Sequence, residues 1–414
     1  MTALSGIVVI ELASDATAYA GKLLGDMGAD VILVEPPSGS AMRSTPPFDG
    51  DEPGAERSLY WWHYQTSKRS IRIDLDQTEG VDLLRRLVGR ADVLLEAERP
   101  GRVASLGLDD AVVRGDNAGL VHAAITGFGR ESDRADEPVT DLTILAGGGP
   151  VWSCGYSDHS IAPIRGGGYQ GFHIGAHYAV MAILTTLIER ETSGLGQFID
   201  VSQHAAANIT TEMASYHWLI QQTTVQRQTG RHASERESMP TQVRCADGRY
   251  VNTGVLPRRP HEFRGLVAWM RDLGLADELP EMVFLEMGAA RERLELGDIG
   301  RDDETTAIFA AAREAMAFIA TRVSAVDYFL GAQRAGIPVG VVYSPEEAFE
   351  DEHFVARGFQ TEVDHGGGRR VRYPGAPYRF EKTPWSIQCR APHLGEHDGE
   401  IRAWLDGHDG PVST

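Results

Sequence analysis

The first 130 residues alternate short apolar runs with stretches of helical spacing, and this alternation restricts the fold more than any other feature of the chain. GIVVIEL (6–12) and DVILVE (30–35) are continuous apolar runs of buried-strand type, and between them TAYAGKLLGDMGA (17–29) repeats its apolar positions with helical period. Gly28 supplies a C-terminal stop for that helix. SIRIDLD (70–76) alternates as a strand, and Asp76 with Glu79 reads as a capping box opening the helix TEGVDLLRRLVGR (78–90). ADVLLE (91–96) and LVHAAIT (120–126) are two further strands. Strands that alternate with helices imply right-handed crossovers and a parallel sheet, so the predicted fold class is α/β.

Beyond residue 130 the chain looks like one long helix from Phe172 to Glu191, followed by a turn at TSGLGQ and a strand at FIDVS (198–202). A polar helical stretch follows to about Gln228. CADGRYVNTG (245–254) reads as a hairpin with Asp247–Gly248 at its tip. Helical patterns then dominate to Arg334, AGIPVGVVYS (335–344) returns to strand character, and GHDGPVST at the C-terminus reads as frayed.

A net charge of −20, from 39 basic and 59 acidic residues, argues against nucleic acid or an anionic membrane as the main partner, because either needs a positive footprint. No uninterrupted apolar run approaches the roughly 18 residues of a membrane span. The N-terminus lacks the basic region of a signal peptide. Cys154, Cys245 and Cys389 have neither disulfide-framework nor metal-ligand spacing, which fits a reduced, cytoplasmic compartment.

Three motifs mimic functional signatures. Gly166, Gly168 and Gly171 spell the G-x-G-x-x-G of dinucleotide-binding folds, but no clear strand precedes them and no acid follows at the end of a next strand. GYSDHS (155–160) sets Ser157, Asp158 and His159 side by side without the nucleophile-elbow frame, and triad members converge from separate elements. His173 and His177 stand four residues apart on a helix, yet no third ligand is indicated, so no metal site is predicted.

LLGDMGADVILVEPPSGSAMR (23–43) resembles the N-terminal signature of the class III CoA-transferases, a family that includes formyl-CoA, carnitine and benzylsuccinate CoA-transferases and α-methylacyl-CoA racemase. SKRSIRIDLDQTEG (67–80), ADVLLEAERPG (91–101), LGL (106–108), TSGLGQFIDVS (192–202), AGIPVGVVYSPEEAFEDEHFVARGF (335–359) and YPGAPYRF (373–380) continue the likeness in collinear order. The resemblance implies a large Rossmann-like parallel-sheet domain built from both chain ends, a smaller inserted α+β domain, and an interlocked dimer. The implied segments are 1–205 for the N-terminal part of the large domain, 206–237 for a linker helix region, 238–345 for the small domain and 346–414 for the return. No cofactor is implied beyond the coenzyme A thioester that serves as substrate.

In that family an aspartate carboxylate attacks the acyl-CoA thioester, CoA thiolate leaves, and a mixed anhydride remains. Thiolate then re-attacks to give an enzyme–CoA thioester, which passes CoA to the acceptor acid. The aspartate sits just before the long helix, and ungapped alignment puts Phe172 at its position. Between Asp158 and Glu189 there is no Asp or Glu at all. His173, next to the vacated position, is the candidate substitute. The resemblance also implies CoA-binding roles for Arg43, Lys68, Arg69, Ile73, Arg99, Arg102 and Leu106.

Several positions depart from the family. Its Asn–aromatic pair after the fourth strand reads Ala97–Glu98, a CoA-phosphate arginine falls on Ser105, its early Gly-Pro is Thr17–Ala18, and the racemase histidine position holds Thr140. VLPRRP (255–260) stands where some transferases carry a glycine-rich loop, and Arg258 with Arg259 are candidates to clamp a substrate carboxylate. The leading expectation is therefore the nucleophile-lacking subunit of a heteromeric CoA-transferase, paired with a paralogous aspartate-bearing subunit and acting on an acyl-CoA and a small carboxylic acid. The alternatives are a homodimeric acyl-CoA hydrolase or isomerase using His173, and a non-catalytic acyl-CoA-binding protein.

Overall fold

The structure is a computed structural model that describes residues 2–253 and 256–407. The chain divides into two units, the first formed by residues up to 151, 164–216 and from 351 on, the second by 152–163 and 217–350. The large unit is therefore assembled from both ends of the chain. Residues 152–163 join the second unit, although the sequence reading placed them within the first segment of the large domain.

The first unit is built on six strands: β1 (Val8–Leu12), β2 (Asp30–Glu35), β3 (Lys68–Arg72), β4 (Val93–Glu96), β5 (Val121–Thr126) and β6 (Phe198–Ser202). All neighbours pair in parallel, in the order β3-β2-β1-β4-β5-β6. The intervening helices are α1 (Asp15–Asp26), α2 (Leu59–Tyr64), α3 (Thr78–Val88), α4 (Pro100–Ser105), α5 (Asp110–Asp116), α6 (Asp141–Gly148) and α7 (Gln170–Ser193), with α8 (Gln203–Ile209) and α9 (Glu212–Tyr216) after β6. The predicted α/β parallel sheet is the observed one.

Strands buried on both faces need apolar residues on both sides, which is why these runs are continuous rather than alternating. On one face Val9, Val93 and Val121 pack with Leu24 of α1 and Ala176, Ala179 and Ile183 of α7. On the other, Ile10, Ile32 and Leu94 pack with Leu84 and Leu87 of α3, Val103 of α4 and Val113 of α5. The strand order reverses between β1 and β4, and in such sheets ligands bind outside the carboxyl ends of the strands at that switch point. A crossover helix runs antiparallel to the strands it joins, so the N-termini of α1 and α7 both lie at this carboxyl edge. By length and composition α7 could cross a membrane, yet its small and aliphatic side packs on the sheet as a core helix does.

Three local expectations are corrected. The third strand starts and ends earlier than 70–76, because Ile73 donates to the Glu35 carbonyl (2.8 Å) and the chain then turns on an Asp74–Asp76 hydrogen bond. The Asp76/Glu79 capping box does not form: α3 is preceded by Gln77 without a side-chain cap, and Asp76 is held instead by Arg102 (2.8 Å). The helical stretch expected to reach Gln228 stops at a π-helical turn over His217–Gln221, after which the chain forms no further helix before an isolated bridge between Gln226 and Ser234.

The second unit carries an antiparallel sheet of β7 (Gln242–Arg244), β8 (Tyr250–Thr253) and β9 (Val339–Val341), with β8 central. The β7–β8 hairpin turns at Asp247–Gly248 as expected, with Gly248 at φ +84°; Gly254, at the end of the predicted hairpin, lies outside the described residues. Helices α10 (Pro260–Asp272), α11 (Met282–Ala290), α12 (Asp303–Ala320), α13 (Ala325–Arg334) and α14 (Pro345–Phe349) complete it, around a core that includes Phe263, Leu266, Ile308, Met316 and Tyr328. Residues 152–163 are stitched to this unit through Trp152 Nε1, which donates to the Val225 carbonyl (2.8 Å), and through Ser157 and Thr229, which exchange hydrogen bonds.

The chain returns through α15 (Glu352–Arg357), the hairpin of β10 (Gln360–Asp364) and β11 (Arg370–Pro374), and α16 (Asp398–Leu405). The segment 373–380, expected as a closing strand, is strand only to Pro374. This return is integral to the large unit, since α16 docks beside β3, where Asp398 accepts from the Arg72 amide at 2.7 Å. Of the tail expected to fray, residues 408–414 lie outside the described residues.

Candidate active site

The glycine run before α7 explains itself locally. Arg165 Nη1 donates to the carbonyls of Gly166 (3.1 Å) and Gly168 (2.6 Å), so the loop wraps its own arginine rather than presenting amides to a pyrophosphate. Tyr169, the residue before α7, makes no side-chain cap. Its place is taken by Asp141 at the start of α6, whose Oδ1 accepts from the amides of Gly171 (2.7 Å) and Phe172 (3.2 Å). A carboxylate there satisfies two of the orphan donors of the helix and sits favourably at its positive end. Gly171 permits this approach, because a Cβ at that position would come within 3.1 Å of Asp141 Oδ1.

At the tip of this helix stands Phe172, half-buried and stacked against Tyr169 with ring centroids 6.2 Å apart. His173 turns toward α1 and α2. Its Nε2 is 2.7 Å from the Tyr64 hydroxyl, and its ring stacks on Tyr19 at 4.0 Å. Burial lowers the imidazole to about 4, with His177 adding a smaller push in the same direction. His173 is thus neutral near pH 7, weakly basic, and already hydrogen-bonded. His177 is exposed, with its edge against Tyr19, and no metal-holding cluster occurs among the described residues.

Sequence reasoning missed the aromatic wall around this point. Tyr60, Tyr64 and Tyr169 form a contiguous cluster, with centroids 4.6 Å apart for Tyr60 and Tyr64 and 4.9 Å for Tyr60 and Tyr169. The Tyr60 hydroxyl donates to Asp15 (2.7 Å), and burial raises both the Tyr60 and Tyr64 phenols well above the usual tyrosine range. The signal was the run LYWWHY at 59–64, which as a one-and-a-half-turn helix delivers aromatic side chains to a single patch. Asp141 was also missed, because its partners lie 30 residues away.

The proposed CoA contacts fare differently. Arg43 is buried: it forms a two-point pair with Glu35 at 2.8 Å, bonds Glu56 and the Pro392 carbonyl, and stacks on Trp61 at 3.8 Å. Lys68 is completely buried, 2.7 Å from Glu11, and also donates to Gln65 and the Ala18 carbonyl. Arg69 spans Asp30 and Glu400 beside the amino ends of β2 and β3, the edge opposite α7's N-terminus. Ile73 and Leu106 are core residues on the α3 face of the sheet. In the fold Arg43, Lys68 and Arg69 are therefore paired with carboxylates of this chain, and Ile73 and Leu106 are buried in its core. Arg102, tied to Asp76 and the Leu75 carbonyl, and Arg99, exposed and without an ion pair among the described residues, remain after the carboxyl end of β4.

That end is itself acidic. Glu96 is buried and bonds Arg130 and His122, and the Glu98 amide donates back to Glu96 at 2.6 Å. Burial, reinforced by Glu96, raises the Glu98 carboxyl. In the second unit, the Arg258 and Arg259 amides both donate to Glu262 at the start of α10, and both side chains are exposed. The Ser157–Asp158–His159 run forms no triad: Asp158 caps Ser160, and His159 Nε2 faces the Arg227 carbonyl.

Phenylalanine carries no nucleophile, Asp141 is occupied by two amides and approached by Arg165 at 3.4 Å, and His173 is committed to Tyr64.

The chain is 29% identical over 397 residues to the succinyl-CoA:(R)-benzylsuccinate CoA-transferase subunit BbsE of Thauera aromatica, covering 95% of this chain and 92% of that one. It is 29% identical to a succinate–glutarate CoA-transferase of Agrobacterium fabrum, over 97% and 96% of the two chains. Among solved structures, a CaiB/BaiF family protein from Brucella suis superimposes with a TM-score of 0.77 at 27% identity, over 98% of this chain and all of that one. The model of CoA-transferase family III matches residues 4–398, and the chain belongs to that family of CoA-transferases.

Proposed function

We propose that this chain is the nucleophile-lacking subunit of a heteromeric CoA-transferase. Its partner is a paralogous subunit with aspartate at the position of Phe172, interlocked with it as a dimer in the cytoplasm. The pair moves CoA from an acyl-CoA, such as succinyl-CoA, to a carboxylic acid such as an aryl-succinate. The observation that carries this reading is Phe172 at the N-terminus of α7, with Asp141, the nearby carboxylate, consumed as the helix cap. Three further features support it. The Thauera relative bears the name of a subunit. The proposed phosphate ligands Arg43, Lys68 and Arg69 are paired with carboxylates of this chain. Met181, Ile188 and Leu195 are more than half exposed along and just after α7, an apolar surface of the kind that partner chains cover.

The test compares the purified chain with the assembled pair, using succinyl-CoA and benzylsuccinate. Alone, the chain exchanges no CoA; co-expressed with the aspartate-bearing paralogue it does, and hydroxylamine traps an adduct on the paralogue only. An acyl or CoA adduct on this polypeptide, or turnover by the chain alone that His173→Ala abolishes, overturns the proposal.

A further inference from the structure

The second unit contains a cavity of about 230 Å³ that none of the foregoing chemistry uses. Leu256, Pro257 and Phe309 line it, and Met239, Leu296 and Ile299, each 44–45% exposed, converge on the same space. Three large apolar side chains left that open on one concavity leave apolar surface in water that an apolar ligand would cover. An engineered apolar cavity of roughly 150 Å³ accepts benzene, so this one has room for a ring and a short alkyl arm.

Arg258 and Arg313 are both among the residues that line the cavity. Arg258 has no ion pair or side-chain hydrogen bond among the described residues. Arg313 rests on the Met239 sulfur at 3.7 Å and, among the described residues, pairs with the neighbouring Glu314 at 3.6 Å, both side chains being about half exposed. Such an exposed pair contributes little. Among the described residues no carboxylate lines the cavity, although the chain as a whole carries 59 acidic residues. The lining hydroxyl, Thr306 Oγ1, already donates to the Asp302 carbonyl and accepts from the Gly300 amide. What is on offer is a largely apolar pocket whose charged lining residues, among those described, are two arginines. Arg259 does not reach it, so the adjacent arginine pair is replaced by one that only the tertiary structure brings together.

We infer that this cavity is a binding site for a small phenylalkyl carboxylate, its ring enclosed by Leu256, Pro257 and Phe309 and its carboxylate held between Arg258 and Arg313. Charge-assisted hydrogen bonds to guanidinium select the acid over its neutral analogues. The inference rests on the reading of this chain as one that handles an aryl-substituted acid, and because it concerns binding by this chain alone, its failure is distinguishable from failure of the heteromer reading.

The probe is 3-phenylpropanoate, titrated into the full chain by calorimetry and followed by the NMR signal of the Met239 methyl group. Saturable binding that shifts the Met239 signal is expected, with 3-phenylpropan-1-ol and inorganic phosphate each binding at least tenfold more weakly. Arg258→Gln and Arg313→Gln, both at exposed positions, each weaken the acid by about tenfold, as loss of one charge-assisted hydrogen bond implies. Equal affinity for the alcohol, equal affinity for phosphate, an unmoved Met239 signal, or unchanged binding in the double Arg258→Gln/Arg313→Gln variant would each overturn the inference.

Discussion

Lys68 shows how a residue's neighbours decide its role. In the sequence it belongs to a basic SKRS segment that suggests a phosphate contact; in the fold its ammonium is sealed against Glu11 on β1, both side chains without solvent exposure. Burial pushes each partner toward its neutral form, upward for the Glu11 carboxyl and downward for the Lys68 ammonium, and their attraction opposes it. Beside them Lys22 bonds Asp26 (2.8 Å) and Thr66 (2.6 Å), so a polar layer is enclosed between α1 and the sheet. Removing one partner of such a pair leaves an unpaired buried charge. Lys68→Met is therefore expected to destabilise the chain by about 3–5 kcal/mol, read from the urea midpoint. Adding Glu11→Gln should recover a substantial part of that loss; a double variant as unstable as the single one would refute the assignment.

At the scale of the element, α7 depends on a cap borrowed from α6. Because Asp141 holds both the Gly171 and Phe172 amides, Asp141→Ala should cost about 1–2 kcal/mol. Asn keeps an acceptor and should cost less. Hydrogen exchange at those two amides should accelerate in the alanine variant, and unaltered exchange would show that the cap is dispensable. The helix itself was legible as a long, largely apolar stretch without proline that ends at a glycine turn. Its cap was not, because nothing near Asp141 in the chain reveals that it faces residues 30 positions later. The Asp76/Glu79 box fails for the same reason in reverse: a well-spaced local pair lost Asp76 to Arg102.

For the molecule as a whole, His63 and His173 couple stability to pH. Burial lowers His63 to about 3 and His173 to about 4, against an unfolded value of about 6.5. Between those limits the unfolded chain binds protons that the folded chain refuses, so this contribution is intact above about pH 6.5 and is lost as pH falls toward 4. Urea midpoints at pH 7, 6 and 5 should fall more steeply for the native chain than for a His63→Gln/His173→Gln variant. Parallel slopes would mean that the two rings are not held neutral by the fold.

Taken alone, the sequence determined the parallel α/β sheet, the long helix behind the glycine loop and the absence of a carboxylate from 159 to 188. Each of these is a matter of which residues are present and with what local period, and hydrophobic burial reads that period directly. Only the tertiary structure decided which cations are free. Arg43 and Lys68 are spent on Glu35 and Glu11, while Arg258 acquires Arg313 as a neighbour across 55 positions of chain. Ion pairing and capping act over a few ångströms in space and are indifferent to sequence distance, so those assignments came from packing and not from pattern.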